Sequence, residues 1–143
     1  MSMRSTTLGL MACLAAAAAP AAELRITIAN VVPNKGDLLV TLFDRAQGFP
    51  DQPNAAQPSR KVKPDGSTMQ LSFSNLAEGR WAVMVLQDFN GNGRVDTNLV
   101  GLPKEPYGAS NNKLPKLAPP KFEEALVDVG AQGAAVTIEL RQP

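Results

Sequence analysis

Asn75-Leu76-Ala77-Glu78-Gly79-Arg80-Trp81-Ala82-Val83-Met84-Val85-Leu86-Gln87-Asp88-Phe89-Asn90-Gly91-Asn92-Gly93-Arg94-Val95-Asp96 holds a turn, the most apolar run after residue 22 and an acidic glycine loop in immediate succession. Asn75 to Gly79 has the residues of a turn. From Arg80 to Gln87 the apolar side chains fall on both faces, so the run predicts a central strand covered on both sides. Asp88 to Asp96 then sets oxygen-bearing side chains at alternate positions around glycines, which is the chemistry of a loop wrapped on a hard divalent cation.

Strands follow on either side. Leu24, Ile26 and Ile28 alternate with Arg25 and Thr27, the pattern of a half-buried strand. After a turn at Asn34 to Asp37, Leu38, Val40 and Leu42 alternate with Leu39, Thr41 and Phe43, and these two runs are expected to pair antiparallel. Gln47 to Pro58, with Gly48 and three prolines, reads as a surface crossing, and Ser59 to Lys63 as a short edge strand. Beyond Asp65-Gly66, the alternation of Met69, Leu71 and Phe73 with Gln70 and Ser72 gives another strand. Gly101 to Lys121, with prolines at 103, 106, 115, 119 and 120, reads as a long irregular Pro-rich loop. Phe122 to Val129 and Ala135 to Leu140 supply the last strands, with Val136, Ile138 and Leu140 inward. No amphipathic pattern of ten residues occurs in 23–143. About seven short strands predict an all-β fold, an antiparallel β-sandwich.

A chain of 143 residues, 44% of them hydrophobic, suits one domain. Arg4, the apolar run Leu8 to Ala19 and the small residues Ala19-Pro20-Ala21 predict a signal peptide over 1–22, leaving a single domain over 23–143 in the periplasm or secreted. Spanning a bilayer takes about 20 apolar residues, more than this run supplies, so no transmembrane segment is expected. Leu10-Met11-Ala12-Cys13 resembles a lipobox, and lipid anchoring through Cys13 is the alternative. Cys13 is the only cysteine and there is no histidine. The domain over 23–143 therefore lacks the parts of a disulfide, a Cys or Ser-His nucleophile or an ordinary zinc site. Loss of Arg4 with the leader lowers Lys plus Arg from 14 to 13, equal to the 13 Asp plus Glu, so bulk attraction to nucleic acid is not expected.

In the order of an EF-hand loop, Asp88, Asn90 and Asn92 take the first, third and fifth positions, Gly93 the sixth, the Arg94 carbonyl the seventh and Asp96 the ninth. The twelfth is Leu99, so the bidentate Glu is missing and Asn98 or Glu105 would have to complete the shell. A structural Ca2+ site of this kind should bind weakly, on the order of 0.1 to 1 mM. The alternative is a solvated turn built on two Asn-Gly pairs. The second candidate is the Pro-rich loop, where Lys104, Lys113, Lys116 and Lys121 face one acid, Glu105. With Tyr107, Asn111 and Asn112, its Lys104, Lys113 and Lys116 form an expected contact surface for a protein, a glycan or an anionic envelope component; solvated lysines on a stiff loop are the alternative. Trp81 reads as core packing. Glu123 and Glu124, as consecutive strand residues, point apart, and no catalytic residue is nominated.

Asn75 to Val83, Asp88 to Asp96, Gly101 to Asn112 and Pro119 to Ala125 resemble a family of exported bacterial proteins known as domain of unknown function number 2141, over nearly all of 23–143. More distantly, the Leu76 to Trp81 turn and the Asp88 to Gly93 loop look like those of transthyretin-like and collagen-adhesin B-type domains. The resemblance implies a prealbumin/transthyretin-like sandwich and carries over no activity. The expected function is an exported, non-enzymatic binding module. The alternatives are a structural subunit of an envelope assembly and a metal-dependent hydrolase.

Overall fold

In the computed structural model, which describes residues 22–54 and 57–143, the apolar run becomes β5 (Gly79–Asp88), buried from Trp81 onward. The full length of β2 (Asp37–Phe43) pairs antiparallel with it, Asp37 opposite Asp88 through Phe43 opposite Ala82. Its other side takes β6 (Tyr107–Ala109) and β7 (Leu126–Val129), and the short β3 (Ser59–Val62) forms an edge beyond β2. The second sheet has the order β4 (Met69–Leu76), β1 (Ala22–Ala29), β8 (Ala134–Glu139). The fold is an all-β sandwich of eight strands among the described residues. One pairing departs from antiparallel, because β1 and β8 run parallel from Leu24 opposite Ala134 to Ala29 opposite Glu139.

Two apolar layers account for the sequence pattern. Between the sheets, Leu24, Ile26 and Ile28 meet Leu38, Val40, Leu42, Val83, Val85 and Ile138, all essentially inaccessible. Each such side chain contributes about 1.5–3 kcal/mol by leaving water. On the outer face of the five-stranded sheet, Phe43, Ala82, Met84 and Leu86 are covered by Tyr107, Leu114 and Phe122. Phe49 sits edge-on to both Phe43, at 5.2 Å, and Phe122, at 5.7 Å. This second layer is why β5 is apolar on both sides.

Three expectations change. β1 and β2 do not pair: they lie in opposite sheets with their apolar faces toward each other. Alternation fixes which face is buried but not whether the neighbour is lateral or opposite. The crossing from Asn30 to Gly36 is pinned by the buried Gln87 amide, whose Oε1 accepts from Val32 N and whose Nε2 donates to the Val32 and Lys35 carbonyls. At Gly36, with φ of 63°, a β-carbon would lie 2.1 Å from the Asp88 carbonyl oxygen. Second, Phe122 to Ala125 is a turn, closed by Glu124 N on Lys121 O and Ala125 N on Phe122 O, so the strand starts at Leu126. Packing of Phe122 on Phe49 holds this corner. Third, within the Pro-rich segment Tyr107–Ala109 joins the sheet as β6 and Ser110–Asn112 follows as a 3-10 turn. Ser110, fully buried, accepts from Val83 N at 2.9 Å and donates to the Ala125 carbonyl. A three-residue strand is too short to register as a periodicity.

Among the described residues no helix is long and apolar enough to cross a membrane. The expected signal peptide, with Cys13, lies outside the described residues up to residue 21.

Candidate functional site

Asp88 ends β5 and is 1% exposed. Its Oδ1 accepts from Gly91 N at 2.9 Å and its Oδ2 from Gly93 N at 2.8 Å, so one carboxylate folds the loop back over the strand end. Gly91 and Gly93 have φ of 73° and 77°, a region that strains residues bearing a β-carbon. Asn90 Oδ1 accepts from Asn92 N, and Asn92 Oδ1 accepts from Arg94 N. The same two amides donate through Nδ2 to the two oxygens of Asp96, at 2.6 and 2.7 Å. Arg94 is exposed.

Glu105, 4% exposed, reaches into this loop: Oε1 accepts from Phe89 N at 2.8 Å and Oε2 from Asp96 N at 3.4 Å. Asn98 does not join it, because its Oδ1 accepts from Val100 N and Leu102 N and closes a turn of its own. Among the described residues no group of three or more acidic side chains stands ready to hold a metal ion. The carboxylates are turned toward amides, and an ion would have to draw the Asn90 and Asn92 oxygens off the backbone. Yet Asp88, Asp96 and Glu105 have no Lys or Arg within ion-pair distance among the described residues. Lys35 at the loop's base lies over the Phe89 ring, 3.9 Å from its centre. Asp37, opposite Asp88, is treated differently: Lys63 Nζ at 2.7 Å holds its carboxyl below the ordinary value, against the opposing effect of burial, and Lys61 at 3.3 Å adds to this.

The acidic loop runs directly into one wall of a cleft of about 490 Å³. Met84 and Tyr107 lie at its base, projecting from the outer face of the five-stranded sheet. Val95, Val100, Leu102 and Pro103 line the loop side, where Thr97 bridges Pro103, and Leu117, Ala118, Pro119 and Pro120 line the other. Asp51 and Lys116 are its charged lining residues. Among the described residues, Leu99, Val100 and Leu117 are the large apolar side chains most open to solvent, at 107%, 78% and 85%, and of these Val100 and Leu117 line the cleft. A second depression, of about 350 Å³, lies over the three-stranded sheet among Arg25, Thr27, Gln70, Ser72 and Thr137 and is more polar.

The residues expected to form one contact surface are separated by the fold. Tyr107, 8% exposed, is packed in the outer core and shows only at the cleft's base. The Asn111 amide donates to the Glu124 and Leu126 carbonyls, tying β6 to β7. Asn112 donates to the Thr137 carbonyl and accepts from Glu139 N, which covers part of the β8 edge. Lys104, Lys113 and Lys116 are exposed, and of these Lys116 lines the cleft. Trp81 is core, with Nε1 donating to the Ala77 carbonyl. The cleft itself was missed by sequence reasoning. Its signal was Val95, Val100, Leu102 and Leu117, apolar residues spread through loops rich in polar residues, Gly and Pro.

Residues 26–137 match the profile of the family described as "Uncharacterized protein conserved in bacteria (DUF2141)", and the chain belongs to that family. No curated protein and no solved structure matches it.

Proposed function

We propose that this member of the family is an exported, non-enzymatic binding module whose ligand seats in the cleft between 95–103 and 116–120. The observation that carries this reading is the concentration of apolar surface there, with Val100 and Leu117 both lining a concavity of about 490 Å³ and open to solvent. Small-molecule sites are mostly apolar and run from about 300 to 1,000 Å³. Exposed apolar side chains gathered in one place mark a binding surface rather than random exposure.

The non-enzymatic part is supported by the lack of histidine and by Cys13 as sole cysteine. Asp51 and Lys116 at the cleft do not make the acid, base and nucleophile set that chemistry needs. Export is supported by the leader-like residues 1–22, with Arg4 before an apolar run and small residues at its end. The reading includes a weak Ca2+ site at Asp88, Asn90, Asn92, the Arg94 carbonyl and Asp96. Its support is the set of carboxylates without a cationic partner, two of them buried, where uncompensated charge is costly. An ion there would stiffen the wall that begins at Val95.

The test is titration with the neutral fluorophore N-phenyl-1-naphthylamine. One saturable site is expected, lost in Ala118→Trp, which fills the cleft from an exposed position. Unchanged binding by that variant places the ligand elsewhere.

A further inference from the structure

We infer that the cleft takes a single-chain amphipathic anion, an alkyl chain ending in a carboxylate, with the chain over Met84 and Tyr107 and the head at the mouth beside Lys116. This rests on the cleft being the ligand site. The interior favours a chain: beyond Thr97 and Tyr107 its uncharged lining side chains are aliphatic or proline, with Met84, Val95, Leu102 and Leu117 among them. A sugar placed there would bury hydroxyls without enough partners, which is costly. Apolar chain gains with every methylene it buries.

The mouth favours an anionic end. Lys116 lines the cleft, Lys104 follows the lining Pro103, and Lys121 follows the lining Pro120; all three are exposed, against Asp51 in the lining and Asp96 between the lining Val95 and Thr97. None of the three is within ion-pair distance of a carboxylate among the described residues, so their charge is open to a ligand. In a chain with near-zero net charge this is a local positive field, and such a field raises the capture of anions. A cationic detergent would meet the same charge as repulsion. An inorganic anion would use the lysines and leave the apolar walls in water.

The experiment is calorimetric titration of the domain over 22–143 with octanoate, decanoate and dodecanoate below their micelle concentrations, and with decanol and decyltrimethylammonium. Affinity for the carboxylates is expected to rise about fourfold per added methylene until the cleft is filled. Decanol should bind about fivefold more weakly than decanoate, and Lys116→Ser should weaken decanoate by a similar factor while leaving decanol unchanged, the scale of a solvent-exposed ion pair. Equal binding of decanol and decanoate, unaffected by Lys116→Ser, overturns the anionic head and leaves the cleft as a site. Binding of N-phenyl-1-naphthylamine without binding of any alkyl chain overturns this inference alone. If the fluorophore also fails, the cleft reading falls with it.

Discussion

Asp88→Asn is the most informative single change, because the side chain keeps its shape and loses one acceptor. In the native loop, both oxygens of Asp88 accept a glycine amide, at 2.9 and 2.8 Å. An asparagine can serve one of those amides and must turn its own NH2 toward the other. One charge-assisted bond, a matter of about 1.5–3 kcal/mol, is lost and the second becomes a neutral one. Water reaches Gly91 and Gly93, which are exposed, and offsets part of this. A net cost of about 2–3 kcal/mol is expected. With an unfolding entropy of about 2.1 cal/mol/K per residue, a domain of this size loses roughly 4 °C per kcal/mol, so Tm should fall by about 8–12 °C in chelator. Wild type at ten times the calcium Kd should gain roughly 1.4 kcal/mol, about 6 °C, and the variant should gain nothing. Magnesium should do less, since it gives up its waters reluctantly. Asn90→Ala, at an exposed position, serves as the comparison and should cost under about 1 kcal/mol. Differential scanning calorimetry reads all of these. If Asp88→Asn melts within a degree of wild type in chelator, the carboxylate does not template the loop; if wild type is indifferent to millimolar calcium, the metal reading is wrong while the loop architecture stands.

Gln87→Leu should lower stability by about 2–4 kcal/mol in urea titration, because the backbone of Val32 and Lys35 loses its three hydrogen bonds to this side chain while the volume is kept; an unchanged midpoint would mean that the crossing holds itself. Asp37 has a lowered folded pKa, so its contribution is complete above the ordinary value of 3.8 and lost as pH falls through the lower folded value. Replacing both Lys61 and Lys63 with Met should flatten the acid side of the stability profile and leave its shape at neutral pH unaltered, and an identical acid limb in the variant refutes the pairing. Intact mass of the protein recovered from a bacterial host should correspond to a chain that begins at Ala22 or Glu23, whereas a diacylglycerol adduct on Cys13 would establish the lipid-anchored alternative.

The strands were legible where burial is one-sided and local. Leu24, Ile26 and Ile28, and Leu38, Val40 and Leu42, show their inward faces in the period of two, and Arg80 to Gln87 shows its two-sided burial directly. Partners across the sandwich were not legible, because β1 opposite β2 and β1 beside β2 need the same alternation. The carboxylate loop was readable as a loop, but the arrival of Glu105 depends on the hairpin 97–103 returning the chain, with Lys104 N on the Asp96 carbonyl at 2.8 Å. Asn111 and Asn112 look like surface amides in sequence. They are pins, because their φ values of 67° and 56° aim their amides at neighbouring backbone. The cleft arises from tertiary packing alone, where two loops more than ten residues apart face each other over Met84 and Tyr107.

The central claim is the position of the ligand, and the most direct measurement is a 1H–15N correlation spectrum of the domain titrated with decanoate. Shift changes are expected to concentrate in Val95 to Gly101 and Lys116 to Ala118, with Met84 and Tyr107 moving at the cleft's base. Shifts confined to Arg25, Thr27, Gln70, Ser72 and Thr137 over the three-stranded sheet, or scattered without saturation, would contradict it.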